Sequence, residues 1–256
     1  MAILILGGDS SIAKCYIKLF EQKKFHFTYT SRRQITSKNS LFFDLGEPNF
    51  EVFMNKEYDF VIFFASICNI DFCEKNKEES YLINVKNTIK SLNVLSNISK
   101  KVLFMSSNAV FDGKKPFMSV RDLPNPLNEY GRQKSEVEQW IKINSQNISI
   151  LRLSKVIYPD FNLINSWRKE LNQGNLIHPF DDMYLSPTPI ESVIQLMEEI
   201  RINSSNGLFH CSGAADLSYY EFALDLFKNH ANRRLIKKGF SEADKENSHI
   251  IYSSLV

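Results

Sequence analysis

Cysteine is scarce in this chain. The four present (Cys15, Cys68, Cys73 and Cys211, among 256 residues) form no Cys-x-x-Cys and no Cys/His cluster. That spacing excludes the common zinc modules and dithiol redox motifs, and it predicts reduced thiols and no metal. The five histidines are scattered as well and read as structural or surface residues. No apolar run approaches the roughly 20 residues needed to cross a bilayer. The opening Met1-Ala-Ile-Leu-Ile-Leu6 has no basic flank and stops at Gly7-Gly8, so it reads as a buried strand and not as a leader. A cytoplasmic protein without a membrane partner is the expectation. An excess of one charge is missing too. Lys and Arg number 31 against 29 Asp and Glu, for a net charge of +2, which argues against a nucleic-acid partner. No internal repeat and no Gly/Pro-rich linker interrupts the chain.

What the chain does have is an alternation of short apolar runs and helical patterns. Apolar content of 43% and charged content of 23% are ordinary for a soluble globular protein, and the length suits one large domain or a core with a smaller lobe. Strands are predicted at 2–6, 25–30, 41–43, 59–64, 101–105 and 148–153. Helices are predicted at 11–22, 77–99 and 127–144, the second carrying a stripe of Tyr81, Leu82, Val85, Ile89, Leu92 and Leu95. Strands apolar throughout, alternating with helices, imply an α/β Rossmann-type fold, a doubly wound parallel sheet with ligands at the carboxyl ends of its strands. After Ser154 the rhythm loosens, with Pro159, Pro179, Pro187 and Pro189 punctuating a region suited to a small C-terminal substrate lobe. A helix at 190–200, a strand at 208–211 and a helix at 219–228 follow. The tail from Lys237 is polar, with no period until 249–252. The expected division is 1–154 with 188–213 as the nucleotide-binding domain, and 155–187 with 214–256 as the lobe.

Three residues carry the chemistry. Ser107 ends a strand, and Tyr130 and Lys134 stand four apart on a predicted helix, one turn apart on one face. A hydroxyl, a phenol and an ammonium placed this way can converge on one carbonyl. A lysine beside a phenol is expected to lower the phenol's pKa from its usual value of about 10 and so make it a proton-transfer group. At the other end, the first strand delivers Gly7-Gly8-Asp9-Ser10-Ser11-Ile12-Ala13 into a helix. Gly7 supplies a tight turn, and the helix start faces a pyrophosphate. The second strand ends in Thr30-Ser31-Arg32-Arg33 with no acid to hold a ribose 2′-hydroxyl. Two guanidiniums there suit a 2′-phosphate, so NADP(H) is favoured over NAD(H).

Two strings extend this reading, Met105-Ser-Ser-Asn-Ala-Val-Phe-Asp-Gly113 and Asn125-Pro-Leu-Asn-Glu-Tyr-Gly-Arg-Gln-Lys134. Both resemble the extended short-chain dehydrogenase/reductase superfamily, and most closely its dTDP-4-dehydrorhamnose reductase-like, sugar nucleotide-binding family. The resemblance continues through Leu151–Tyr158, Asp181–Thr188, Gly207–Gly213 and Ser218–Ala223. It implies that Ser107, Tyr130 and Lys134 are catalytic, and that Gly7, Ser10, Ser11 and Ile12 meet the cofactor, as do Tyr130 and Lys134, the lysine at the nicotinamide ribose. It further implies that Asp44 and Leu45 lie beside adenine and that Ala65 and Ser66 run along the cofactor. Asn84 also matches the family, although helix packing explains it equally well. The implied activity is NADPH-dependent reduction of a 4-keto-6-deoxy nucleotide sugar for cell-surface polysaccharide. Asn108 and Arg168 are the candidate substrate contacts, Asn162 and Trp167 lie in the same lobe, and a homodimer is implied from resemblance alone.

The chain departs from the family in three places. Ser10 and Ala13 stand where glycines are usual, Asn108-Ala109 stands where Asp-Tyr is frequent, and the Arg-Pro-rich closing loop is missing, which implies an abbreviated lobe. An epimerase or dehydratase with bound NAD, a non-catalytic cofactor-binding regulatory subunit, and a reductase of a smaller carbonyl compound stay open.

Overall fold

The computed structural model describes residues 1–33, 37–241 and 252–256. The period expected over 249–251 lies outside the described residues. Seven parallel strands form the central sheet: β1 (Ile3–Leu6), β2 (Phe27–Ser31), β3 (Ser40–Phe42), β4 (Phe60–Phe63), β5 (Val102–Ser107), β6 (Ile148–Leu153) and β10 (Leu208–Cys211). Their order is β10-β6-β5-β4-β1-β2-β3. The central strands β1 and β4 run apolar without alternation, and Ile3–Leu6 and Phe60–Phe63 are buried at every position, because both faces of the sheet are covered. The order reverses between β1 and β4, so a crevice opens at their carboxyl ends.

Helix α1 (Ser11–Gln22) buries Ala13, Tyr16 and Phe20 at helical spacing. With α7 (Ile190–Ile202) it covers one face through Val193, Met197 and Ile200. Burying a side chain such as Phe20 stabilises the fold by about 1.5–3 kcal/mol. The other face packs against α4 (Thr88–Asn97) and α5 (Glu129–Asn144) through Leu92, Leu95, Val137 and Ile141.

The helix expected over 77–99 is present without interruption from Lys77 to Asn97, as α3 (Lys77–Tyr81), a π-helical turn at Leu82–Asn87 and α4, preceded by the short α2 (Ile70–Lys75). The cause of the π turn is polar. Asn84 and Asn87 are buried with hydrogen bonds to loops outside the helix, and the wider turn aims both of them there, as π turns at functional sites do. Of the expected apolar stripe, Tyr81, Val85, Ile89, Leu92 and Leu95 pack in one core cluster and Leu82 is exposed.

Beyond the sheet, α6 (Asn162–Asn172) and α8 (Tyr219–Leu226) build a separate apolar cluster from Ile164, Trp167, Leu171, Leu185, Phe222, Phe227 and Ile236. A capping box between Ser218 and Glu221 starts α8. Two small sheets join this region, β7 (Lys155–Ile157) with β9 (Pro187–Pro189), and β8 (Tyr184–Leu185) with β11 (Leu217–Ser218). The residues at 252–256 are not a loose polar tail. Asp216 accepts hydrogen bonds from the backbone and hydroxyls of Ser253 and Ser254, and Leu255 packs with Val110, Phe111 and Met118.

Candidate active site

The glycine loop explains its own sequence. Gly7 has φ +87°, a conformation that side chains other than glycine rarely adopt, and a Cβ there would lie 2.6 Å from the Ala65 nitrogen. The backbone of β1 therefore passes directly against the loop after β4. Thr30 fixes the other side, its hydroxyl accepting from Gly7 N at 2.9 Å and its carbonyl from Gly8 N at 2.7 Å. Ser10 stands at the N-cap of α1 without a side-chain cap hydrogen bond.

From this loop a cavity of about 400 Å³ runs across the carboxyl ends of β1, β2 and β4. It touches Gly7, Asp9 and Ser10, passes Ser31, Arg32 and Arg33 at the end of β2, and borders Asp44 and Leu45. It ends along Ala65, Ser66 and Cys68. Two asparagines of the π turn shape its walls. Asn87 donates to the carbonyls of Leu45 and Gly46 at 2.9 and 3.0 Å. Asn84 accepts from Ile67 N at 2.8 Å and donates to Ile67 O at 3.0 Å and to Gln133 Oε1 at 2.8 Å. That last bond ties the cleft wall to α5.

Helix α5 begins where Asn128 caps it, the side chain accepting from Gly131 N at 2.8 Å. Its inward face carries Tyr130, Lys134 and Glu138, and each is tied or turned to the end of β5. Lys134 Nζ donates to Met105 O at 3.0 Å and sits 4.7 Å over the Phe104 ring and 5.8 Å from the Tyr130 ring. Ser106 Oγ donates to Glu138 Oε1 at 2.6 Å. The Ser107 hydroxyl accepts from Ala109 N at 3.1 Å and interacts with the Tyr130 phenol. Tyr130 Oη donates to Cys68 Sγ at 3.9 Å, which brings the phenol to the end of the cleft.

The expected lowering of the phenol pKa is overturned. Burial, reinforced by the Cys68 sulfur, pushes Tyr130 well above the ordinary phenol range, while Ser107 draws it back only in part. Burial likewise pushes Lys134 below the usual lysine range, with Cys68 and Glu138 opposing. Desolvation is the largest cause of both shifts because both groups are inside the protein.

Asn108 follows Ser107 in the short turn Asn108–Val110, with its Oδ1 3.4 Å from Ser107 Oγ. Arg168 is exposed on α6 and donates to Asn165 of its own helix at 2.9 Å, and Trp167 packs in the apolar cluster of that region. Sequence reasoning missed Asp9, Cys68, Asn87 and Gln133 as parts of the cleft. Only Asp9 left a signal, an acid inside the glycine loop. It also missed a buried ion pair beneath the site. Arg152 is 0% exposed, and its Nη2 donates to Glu138 Oε2 at 2.6 Å.

A glycine turn, a crevice at the strand reversal and a Tyr-x-x-x-Lys helix beside a strand-end serine define an extended short-chain dehydrogenase/reductase fold. Within that class, the chain belongs to the family described as the RmlD substrate binding domain, whose model matches residues 1–247. It is similar to methionine adenosyltransferase 2 subunit beta of Bos taurus, at 25% identity over 86% of this chain and 70% of that protein. It is similar to a dTDP-4-dehydrorhamnose reductase of Aggregatibacter actinomycetemcomitans, at 25% identity over 92% of this chain and 81% of that protein. A dTDP-4-dehydrorhamnose reductase of Bacillus anthracis, solved in complex with NADP, shares the fold with a TM-score of 0.83. That match has 20% identity and covers 99% of this chain and 88% of the other.

Proposed function

We propose that the chain reduces the 4-keto group of a 4-keto-6-deoxy nucleotide sugar with NADPH, in the synthesis of a cell-surface polysaccharide. The observation that carries this is the gathering of Ser107, Tyr130 and Lys134 at the end of β5, with the Tyr130 phenol 3.9 Å from Cys68, a wall residue of the cavity that begins at a glycine turn. The residues present fit a dinucleotide, since the approach of Gly7 to Ala65 leaves no room for a side chain and the cavity runs on from there to Cys68. In this reading Gly7, Ser10, Ser11 and Ile12 hold the pyrophosphate at the start of α1. Arg32 and Arg33 meet the 2′-phosphate, Asp44 and Leu45 the adenine, and Ala65 and Ser66 the stretch between. The bacterial relatives named as reductases support the activity, and the NADP complex supports the cofactor.

A bound nicotinamide supplies the hydride. The protein's own groups handle the oxygen. Ser107 donates a hydrogen bond to the ketone, Asn108 lies beside it toward the sugar, and Tyr130 gives its phenolic proton to the same oxygen as negative charge develops. A phenol pushed up by burial keeps that proton at neutral pH, the form that a reduction needs. Lys134 stabilises the phenolate left behind.

A second reading has one observation in its favour. The Bos taurus relative is a subunit of a different enzyme, yet it matches at the same 25% identity as the reductase. A non-catalytic partner subunit is therefore the alternative. Loss of reduced-nicotinamide absorbance with a panel of 4-keto nucleotide sugars decides between them. The reductase reading expects turnover with one member, reduced about 10²–10⁴-fold in Tyr130→Phe. Cofactor binding without turnover on any member favours the subunit.

A further inference from the structure

The carboxylate of Asp9 has no part in the mechanism above, yet it reaches across the nucleotide cleft. Asp9 belongs to the glycine loop, but its side-chain partners among the described residues stand at the end of β2. Its Oδ2 accepts from Ser31 Oγ at 2.9 Å and from Arg32 N at 3.3 Å, and its Oδ1 lies 3.8 Å from Arg33 Nε. Ser31 Oγ in turn accepts from Arg33 N at 2.9 Å, so the hydroxyl spends its only proton on Asp9. All four residues line the same 400 Å³ cavity.

The end of β2 is where this fold meets the adenosine ribose, and an acid there favours a free 2′-hydroxyl while arginine favours a 2′-phosphate. Here both kinds of group are present, the acid supplied by a different segment from the arginines. We infer that Asp9 is the cofactor-selectivity residue, holding the Ser31, Arg32 and Arg33 donors that a ribose 2′-phosphate would need. A 2′-phosphate carries a charge of about −1.5 to −2 and has to take these donors from a carboxylate of like sign. A 2′-hydroxyl instead finds in Asp9 an acceptor. The arginines pull the preference toward NADPH and Asp9 pulls it back.

The inference rests on the cleft being a nicotinamide dinucleotide site and not on which sugar is reduced. Dissociation constants therefore test it without turnover. NADPH and NADH, and the fragments 2′,5′-ADP and AMP, are titrated calorimetrically into the full-length protein, Asp9→Asn and Asp9→Ser. The serine variant keeps a short polar group in the loop should asparagine distort it. Removing the carboxylate is expected to tighten NADPH and 2′,5′-ADP about tenfold or more, and to leave NADH and AMP unchanged or weaker. Variants that bind NADPH within about twofold of the wild type overturn the inference, as does equal weakening of both dinucleotides, which marks Asp9 as a loop cap only. Failure of the wild type to bind either dinucleotide overturns the dinucleotide site and this inference with it. Lack of turnover on the sugar panel touches only the reductase reading.

Discussion

Gly131 sits between Tyr130 and Arg132, and its replacement by alanine tests how closely α5 must approach the strand end. A Cβ on Gly131 would lie 2.0 Å from the carbonyl oxygen of Ala109 and 3.0 Å from Pro126 Cβ. Ordinary carbon–oxygen contacts are about 3.3–3.6 Å, so α5 and the turn after Ser107 must separate by roughly 1.3 Å. Helix propensity works in the other direction, since alanine is better than glycine inside a helix by about 1 kcal/mol. Overpacking of this kind costs about 1–3 kcal/mol, and here the atom struck is backbone with no rotamer to escape into. The clash is therefore expected to win, with a net loss of up to about 2 kcal/mol in urea unfolding. The larger effect is catalytic. A displacement of about 1 Å between reacting groups costs about 10²-fold, so kcat should fall by that order while the dinucleotide Kd, set at the far end of the cleft, stays near wild type. A Gly131→Ala protein as stable as the parent and with unchanged kcat would refute the claim that this contact sets the distance from Ser107 to Tyr130.

Arg152→Met leaves the buried Glu138 carboxylate without its guanidinium and is expected to cost about 3–5 kcal/mol in denaturant unfolding, much of it recovered by adding Glu138→Leu. Acid should weaken the same region through His210, whose pKa is depressed by burial and then by Arg152. Its Nε2 faces Arg152 Nη1 at 3.3 Å and its Nδ1 lies 2.9 Å from Val256 O, so the folded protein holds the ring neutral with its proton on Nδ1. Between the ordinary histidine pKa of about 6.5 and the lower folded value, the unfolded chain binds the extra proton. Stability therefore falls as pH drops through that window, by up to about 1.4 kcal/mol per pH unit, and His210→Gln should flatten the curve in pH-dependent unfolding.

The parallel sheet was legible because strands such as Ile3–Leu6 and Phe60–Phe63 are apolar throughout, and the placing of Ser107 at a strand end and of Tyr130 and Lys134 one helical turn apart was legible because both are local features. What was not legible depends on partners far away in the chain. The π turn at Leu82–Asn87 lies inside a helix whose apolar pattern runs on, and only the long-range bonds of Asn84 and Asn87 show why the turn widens. The two- and three-residue strands β7 to β9 and β11 are too short to carry a period. Asp9 escaped because an acid serving the end of β2 was sought in β2 itself, whereas it arrives from 22 residues earlier. The direction of the Tyr130 shift was misread because the sequence shows the lysine but not the burial of both groups.

The apolar core and the polar contacts of this protein do different jobs. The apolar clusters on the two faces of the sheet fix the layers, but they leave the sliding of α5 along the sheet loosely defined, since apolar contact is non-directional. Direction comes from hydrogen bonds along one line of α5. Gln133 reaches Asn84 and the wall of the cleft, Lys134 the carbonyl of Met105, and Glu138 the hydroxyl of Ser106, with Arg152 closing the line from β6. Each of these bonds is broken by a shift of about an ångström, because hydrogen-bond geometry tolerates little more. They therefore convert a helix that merely packs into one whose register holds Tyr130 beside Ser107. This is why charged and amide groups are buried beneath a site where leucine would pack as well, and why changes along this line should cost more in turnover than their effect on stability alone accounts for.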